Sequence, residues 1–128
     1  MFLMLLACVT PQPTAELDDA EQRWAEAGIT DYTYTLTWQC FCPEGGTPSA
    51  VEVQGGEVVG STPELPEAST VEGLFDTVRS AIESDPDAFD VSYDAVLGYP
   101  TMLDVDPMAN AMDEEYGFEA KDLTESSP

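Results

Sequence analysis

Between Asp31 and Val59 the chain reads DYTYTLTWQCFCPEGGTPSAVEVQGGEVV, and no other stretch restricts the fold so tightly. Tyr32, Tyr34, Leu36 and Trp38 alternate with Thr33, Thr35, Thr37 and Gln39. A period of two built from aromatic and β-branched residues predicts a strand with one buried face. The threonines then look outward or toward a second layer, and the same parity puts Cys40 and Cys42 on the aromatic face. Pro43 and Gly45-Gly46 end the strand. Val51 and Val53 resume the alternation, and Gln54-Gly55-Gly56-Glu57 predicts a tight hairpin, because Gly-Gly supplies the positive φ of a two-residue turn. Val58 and Val59 return, so a three-strand β-meander is expected.

The Cys-x-Cys admits three readings. A disulfide across one residue must close a Cα separation of ~6.5 Å in a regular strand, near the upper limit, and a bend before Pro43 could close it. Two reduced thiols would act as small core residues. A metal or redox pair is the third, but the chain has no histidine and only three cysteines, which argues against a closed zinc site. A redox pair also favours Cys-x-x-Cys at a helix start.

Charge narrows the function classes. Twenty-six acidic residues face three basic ones, Arg23, Arg79 and Lys121, for a net charge of −23. Such a chain has no basic patch for phosphates, which excludes nucleic acid as a partner and direct attraction to anionic head groups. The absence of histidine removes Ser-His-Asp and Cys-His catalysis. The acidity reads first as a solvated surface and second as a face for cations or basic proteins. At 128 residues and 43% hydrophobic, the chain is long and apolar enough for one domain with a real core.

The N-terminal residues 1–8, MFLMLLAC, resemble a bacterial lipoprotein signal: the tail of an apolar region, then Leu5-Leu6-Ala7-Cys8 as a lipobox with Cys8 the lipidated residue. The basic leader segment is missing and the apolar run is short, which fits a start upstream of Met1 or a minimal leader. Eight residues cannot span a bilayer, which takes ~20. Residues 9–15 read as a Pro/Thr-rich tether, 16–123 as a single domain and 124–128 as a frayed tail. With Cys8 lipidated, Cys40 and Cys42 are left as an even pair in an oxidising compartment.

Leu17, Ala20, Trp24 and Ala27 predict a helix over 16–27, closed by Gly28, with Trp24 a core anchor. Val71, Leu74, Phe75, Val78 and Ile82 predict a second helix, capped by Thr70 or Ser69, with Ser69 and Glu72 spaced as a capping box. Phe89, Val91 and Tyr93 mark a fourth strand, and Leu97-Gly98-Tyr99-Pro100 a turn with Gly98 at positive φ. Residues 102–106 and 116–123 give two more strands. Helix, three strands, helix, three strands is a coarse repeat, and it predicts an α+β domain with an antiparallel sheet packed by two helices.

This ordered pattern resembles the DUF6174 family of small bacterial lipoproteins. Trp24, Tyr32-x-Tyr34, Cys40-Phe-Cys42-Pro43, Val51-Glu-Val53, Gly56-Glu-Val58, Thr70-Val-Glu-Gly-Leu74-Phe75, Val91-Ser-Tyr93-Asp94, Gly98-Tyr99-Pro100, Asp106 and Asp113-Glu114 carry the likeness. The resemblance implies a secreted or lipid-anchored envelope protein, with no catalytic residues to carry over.

One acidic stretch suggests a calcium loop. Counting Asp104 as the first position, carboxylates fall at positions 1, 3 and 12, but Met108 and Ala109 occupy places where an EF-hand has an oxygen ligand and a glycine. A looser site from Asp104, Asp106, Asp113 and Glu115 is the alternative to a solvated acidic loop. Methionines 102, 108 and 112 with the Cys pair would be a soft copper site. The expectation is a non-enzymatic envelope module, membrane-anchored through Cys8 on the periplasmic or extracellular side, that needs no cofactor and either binds another envelope protein or serves as a structural part of an envelope assembly. A weak divalent-cation-binding module is the alternative.

Overall fold

The computed structural model describes residues 13–39, 45–65, 68–107 and 115–126. Within them, helix α1 (Pro13–Ala27) precedes strands β1 (Tyr32–Gln39), β2 (Ser49–Gln54) and β3 (Glu57–Thr62). Helix α2 (Val71–Glu83) then precedes β4 (Ala88–Tyr93), β5 (Pro100–Asp106) and β6 (Tyr116–Glu125). Helix α1 starts at Pro13 rather than Glu16, inside the expected tether. Proline suits a first helical position, where its missing N–H has no intrahelical partner to lose.

The strands form one sheet in the order β3-β2-β1-β6-β5-β4, with every neighbouring pair antiparallel. The expected fold class is therefore the observed one, α+β with an antiparallel sheet. The repeat holds in element order but not in space. The first meander runs outward from the centre, whereas β4, β5 and β6 run inward from the opposite edge. The central joint is β1 against β6, where Leu36 faces Ala120 and Trp38 faces Phe118.

The alternation of β1 places Tyr32, Tyr34 and Leu36 in the core. Val51 and Val53, Leu103 and Val105, and Phe118 and Ala120 extend that inner face across β2, β5 and β6. Leu17, Ala20 and Trp24 of α1 and Val71, Leu74, Phe75, Val78 and Ala81 of α2 complete the same cluster. Fully burying each large apolar side chain contributes about 1.5–3 kcal/mol, most of it offset by lost chain entropy. The other side of the sheet carries polar and charged residues, among them Glu52, Gln54, Glu119 and Lys121, all exposed. One covered face and one wet face is the usual compromise of an antiparallel sheet.

Two details depart from the sequence pattern. β6 continues to Glu125, with Thr33 opposite Thr124 and Tyr32 opposite Glu125, so the expected tail begins inside a strand. A register shift between Thr33 and Thr35, with Asp122 at φ 59°, forms the bulge that lets β6 run on. The N-cap of α2 is Thr70, whose Oγ1 accepts from Gly73 N at 3.1 Å. The expected Ser69–Glu72 box does not form. Ser69 Oγ donates to the Thr70 carbonyl, and the Glu72 carboxylate serves a different donor.

Residues 94–99 turn the chain from β4 to β5. Asp94 Oδ2 accepts from Val96 N and Leu97 N at 3.1 and 2.7 Å, and Gly98 N donates to the Asp94 carbonyl. Gly98 has φ +88°, as the sequence predicts, and lies so close to α1 that a Cβ there would sit 2.4 Å from the Ala20 carbonyl oxygen. Arg23 of α1 fixes this turn by donating from Nη1 to the Asp94 and Ala95 carbonyls at 2.9 and 3.0 Å.

Candidate functional site

The start of α2 is held from three sides. Its first-turn N–H groups have no intrahelical acceptors. Thr70 satisfies Gly73, and the Tyr32 hydroxyl of β1 accepts from Val71 N at 2.8 Å. The Tyr34 hydroxyl donates to the Ser69 carbonyl just before the helix. Burial pushes the Tyr32 phenol up to about 12, and burial followed by the neighbouring Tyr32 and Glu72 raises Tyr34 as well. Both hydroxyls therefore stay neutral through ordinary pH.

Helix α1 crosses this start antiparallel. At one end Trp24 Nε1–H donates to Glu72 Oε2 at 2.9 Å. At the other, Arg79 Nη2 bonds Asp18 Oδ1 at 3.2 Å and Glu21 Oε1 at 2.6 Å. The Trp24 ring stands edge-on to Tyr32, centroids 5.4 Å apart, and to Tyr99 at 6.3 Å. A buried indole N–H needs an acceptor, which is why Glu72 turns to Trp24 instead of closing a capping box.

Beside this joint, α1, α2 and residues 28–30 border a groove of about 410 Å³. Its floor is Trp24, Ile29 and Phe75, and its polar rim consists of Glu21, Glu72 and Asp76 with the backbone around Gly28 and Thr30. Glu72 and Asp76 are exposed, and one helical turn puts their like charges on the same face. The groove can take an apolar group with a positive end.

The sequence-predicted site residues fall elsewhere. Cys8, Cys40, Cys42 and Asp113 lie outside the described residues, as do Met108 and Met112. Asp104 on β5 and Glu115 before β6 border one hollow of about 440 Å³, together with Met102 and Glu119. Asp106 points a buried Oδ1 that has no hydrogen-bond partner among the described residues. No group of three or more acidic or cysteine side chains is placed to hold a metal ion among the described residues. The groove residues Glu21, Ile29 and Asp76 escaped the sequence reading. The available signal was Glu72 and Asp76 flanking Phe75 on one helical face.

A family of unknown function (DUF6174) matches this chain over residues 16–125. Neither a curated protein nor a solved structure matches it significantly.

Proposed function

The chain belongs to the DUF6174 family, and on that premise we propose that it is a lipid-anchored, non-enzymatic module of the bacterial cell envelope that binds a partner protein through the α1–α2 groove. The observation carrying this reading is the groove itself, a concave apolar floor with a one-sign rim on rigid helices. An anchor at Cys8 would attach the domain at the opposite end of α1. Four residues separate Cys8 from Pro13, so five residue steps reach at most roughly 18 Å. The 15 residues of α1 then carry the chain ~22 Å away from that end. The groove sits at the far end of α1, beside Gly28. A Cys40–Cys42 disulfide belongs to the same reading, as a staple at the end of β1. No helix among the described residues is long and apolar enough to cross a membrane.

Two measurements test this. The intact mass of the protein from the membrane fraction, alkylated with and without reduction, should begin at an acylated Cys8 and show thiols that alkylate only after reduction. An unlipidated chain with two freely alkylating thiols would overturn the anchored reading. A photo-crosslinking residue at position 25, an exposed alanine on the groove, should give a protein adduct in intact cells, and one at position 52 on the bare sheet face should not. Adducts at both positions or at neither would remove the groove as the docking site.

A second reading is favoured by the orphaned Asp106 Oδ1 near the Asp104–Glu115 hollow. It is a weak calcium site of Asp104, Asp106, Asp113 and Glu115, of which Asp113 lies outside the described residues. A melting temperature unmoved by about 1 mM calcium, the level at which weak extracellular sites fill, would sink it.

A further inference from the structure

Resting on the reading of the groove as a docking site, we propose its occupant: a lysine or arginine side chain flanked by apolar residues, on a segment of the partner protein. Every charged side chain on the groove is acidic. Helix α1 ends there, and its last carbonyls, the negative end of the helix dipole, carry no basic residue in the final turn. Asp76 stands one turn after Glu72 with no ion-pair partner among the described residues. Glu72 lies in the first turn of α2, where the dipole already favours it, and accepts the Trp24 N–H. Glu21 is shared with Arg79. The uncompensated charge is therefore that of Asp76 and the α1 carbonyl end.

The chain cannot neutralise it from within. Arg23 is committed to Asp19 and to the 94–99 turn, and Arg79 to Asp18 and Glu21. Lys121 projects from β6 opposite Thr35, on the far side of the sheet. A net charge of −23 repels acidic partners and draws basic ones. The floor of Trp24, Ile29 and Phe75 selects further. A bare ammonium ion gains nothing from it, whereas the aliphatic stem of lysine or arginine can lie along it with the charged head at the rim.

The test uses the full chain and two fluorescein-labelled peptides, Leu-Ala-Arg-Ala-Leu and the same sequence with neutral citrulline replacing arginine. Fluorescence anisotropy should show the arginine peptide binding about tenfold tighter than the citrulline peptide, with the difference shrinking as salt screens the charge. Asp76→Asn should remove most of that difference, while Glu52→Gln on the bare face of the sheet leaves it intact. Both substitutions lie at exposed positions, and unchanged thermal melts would establish that both variants fold. Equal affinity for the two peptides would overturn recognition of a basic residue, and so would absence of binding by the arginine peptide. A charge preference that survives Asp76→Asn would overturn its location. Failure of the docking reading shows separately, as absence of the position-25 crosslink in cells.

Discussion

Tyr32→Phe removes one oxygen from the core and is expected to cost about 2 kcal/mol of stability. The hydroxyl accepts the Val71 N–H at 2.8 Å, at a residue with 0% exposure. Val71 is the first residue of α2, so its N–H has no carbonyl inside the helix. Thr70 cannot take over, because its Oγ1 is engaged with Gly73. A buried donor left without a partner costs about 1–3 kcal/mol, whereas the intact bond contributes only about 1 kcal/mol net. Tyr34→Phe removes a donor instead and leaves the Ser69 carbonyl short of a bond. Carbonyls tolerate that better than N–H groups do, so a loss of about 1 kcal/mol is expected. Urea denaturation followed by circular dichroism measures both. With a slope near 2 kcal/mol/M, Tyr32→Phe should lower the midpoint by about 1 M at unchanged slope. A Tyr32→Phe variant within about 0.5 kcal/mol of the parent, or one less affected than Tyr34→Phe, would refute the idea that a β1 tyrosine acts as a tertiary cap for α2.

Two further outcomes follow from the fold. Gly98→Ala should cost about 3 kcal/mol, because the new Cβ meets the Ala20 carbonyl at 2.4 Å in addition to the strain of φ +88°. Gly28→Ala, at φ +66° with open space around it, should cost only about 1 kcal/mol; equal losses in denaturation would contradict the close approach of α1 to the turn. On the alkaline side, burial lifts Tyr32 and Tyr93 to about 12 and raises Tyr34 and Tyr99. The unfolded chain ionises them near 10. A raised pKa in the fold means the neutral form is favoured there, so this contribution is full below pH ~10 and is lost as pH climbs through about 12. Tyrosinate absorbance and circular dichroism should therefore change together above pH ~10. Tyrosines that all ionise near pH ~10 while the dichroism stays native would contradict it.

Much of this architecture is legible in the chain because side-chain period reports which face is buried. The threonine–aromatic alternation of β1, the Gly55-Gly56 hairpin and the apolar stripe of α2 all stand where the pattern puts them. Period says nothing of which strand lies beside which. The β1–β6 joint that fixes the sheet order connects segments far apart in sequence, and so the repeat of element order gave no warning of its reversed placement. Thr70 caps α2 as expected, but the capping box fails for a related reason. Ser69 and Glu72 have capping-box spacing, but a buried indole on another helix competes for the same carboxylate. The groove was invisible because each part has an ordinary local explanation: Trp24 and Phe75 as core, Glu21 and Asp76 as solvated helix face. Only the antiparallel crossing of α1 over α2 brings them together.

That crossing also decides which residues can report on binding. Glu72 is at once the acceptor that holds Trp24 and part of the groove rim. A change there alters the joint between the helices as well as the charge a ligand meets, so its effects on affinity and on stability come entwined. Asp76 carries the second charge on the same face, is exposed and holds no ion pair among the described residues. Neutralising it changes the rim and leaves the floor and the helix start intact. The same division runs through the residues by which the chain resembles its family. Trp24, Tyr32, Tyr34 and Thr70 are bound into the start of α2, and Asp94, Gly98 and Tyr99 into the turn beneath α1. Those residues fix the start of α2 and the seat of α1, whereas Asp76 holds no ion pair among the described residues and, on the proposal above, sets what the groove accepts.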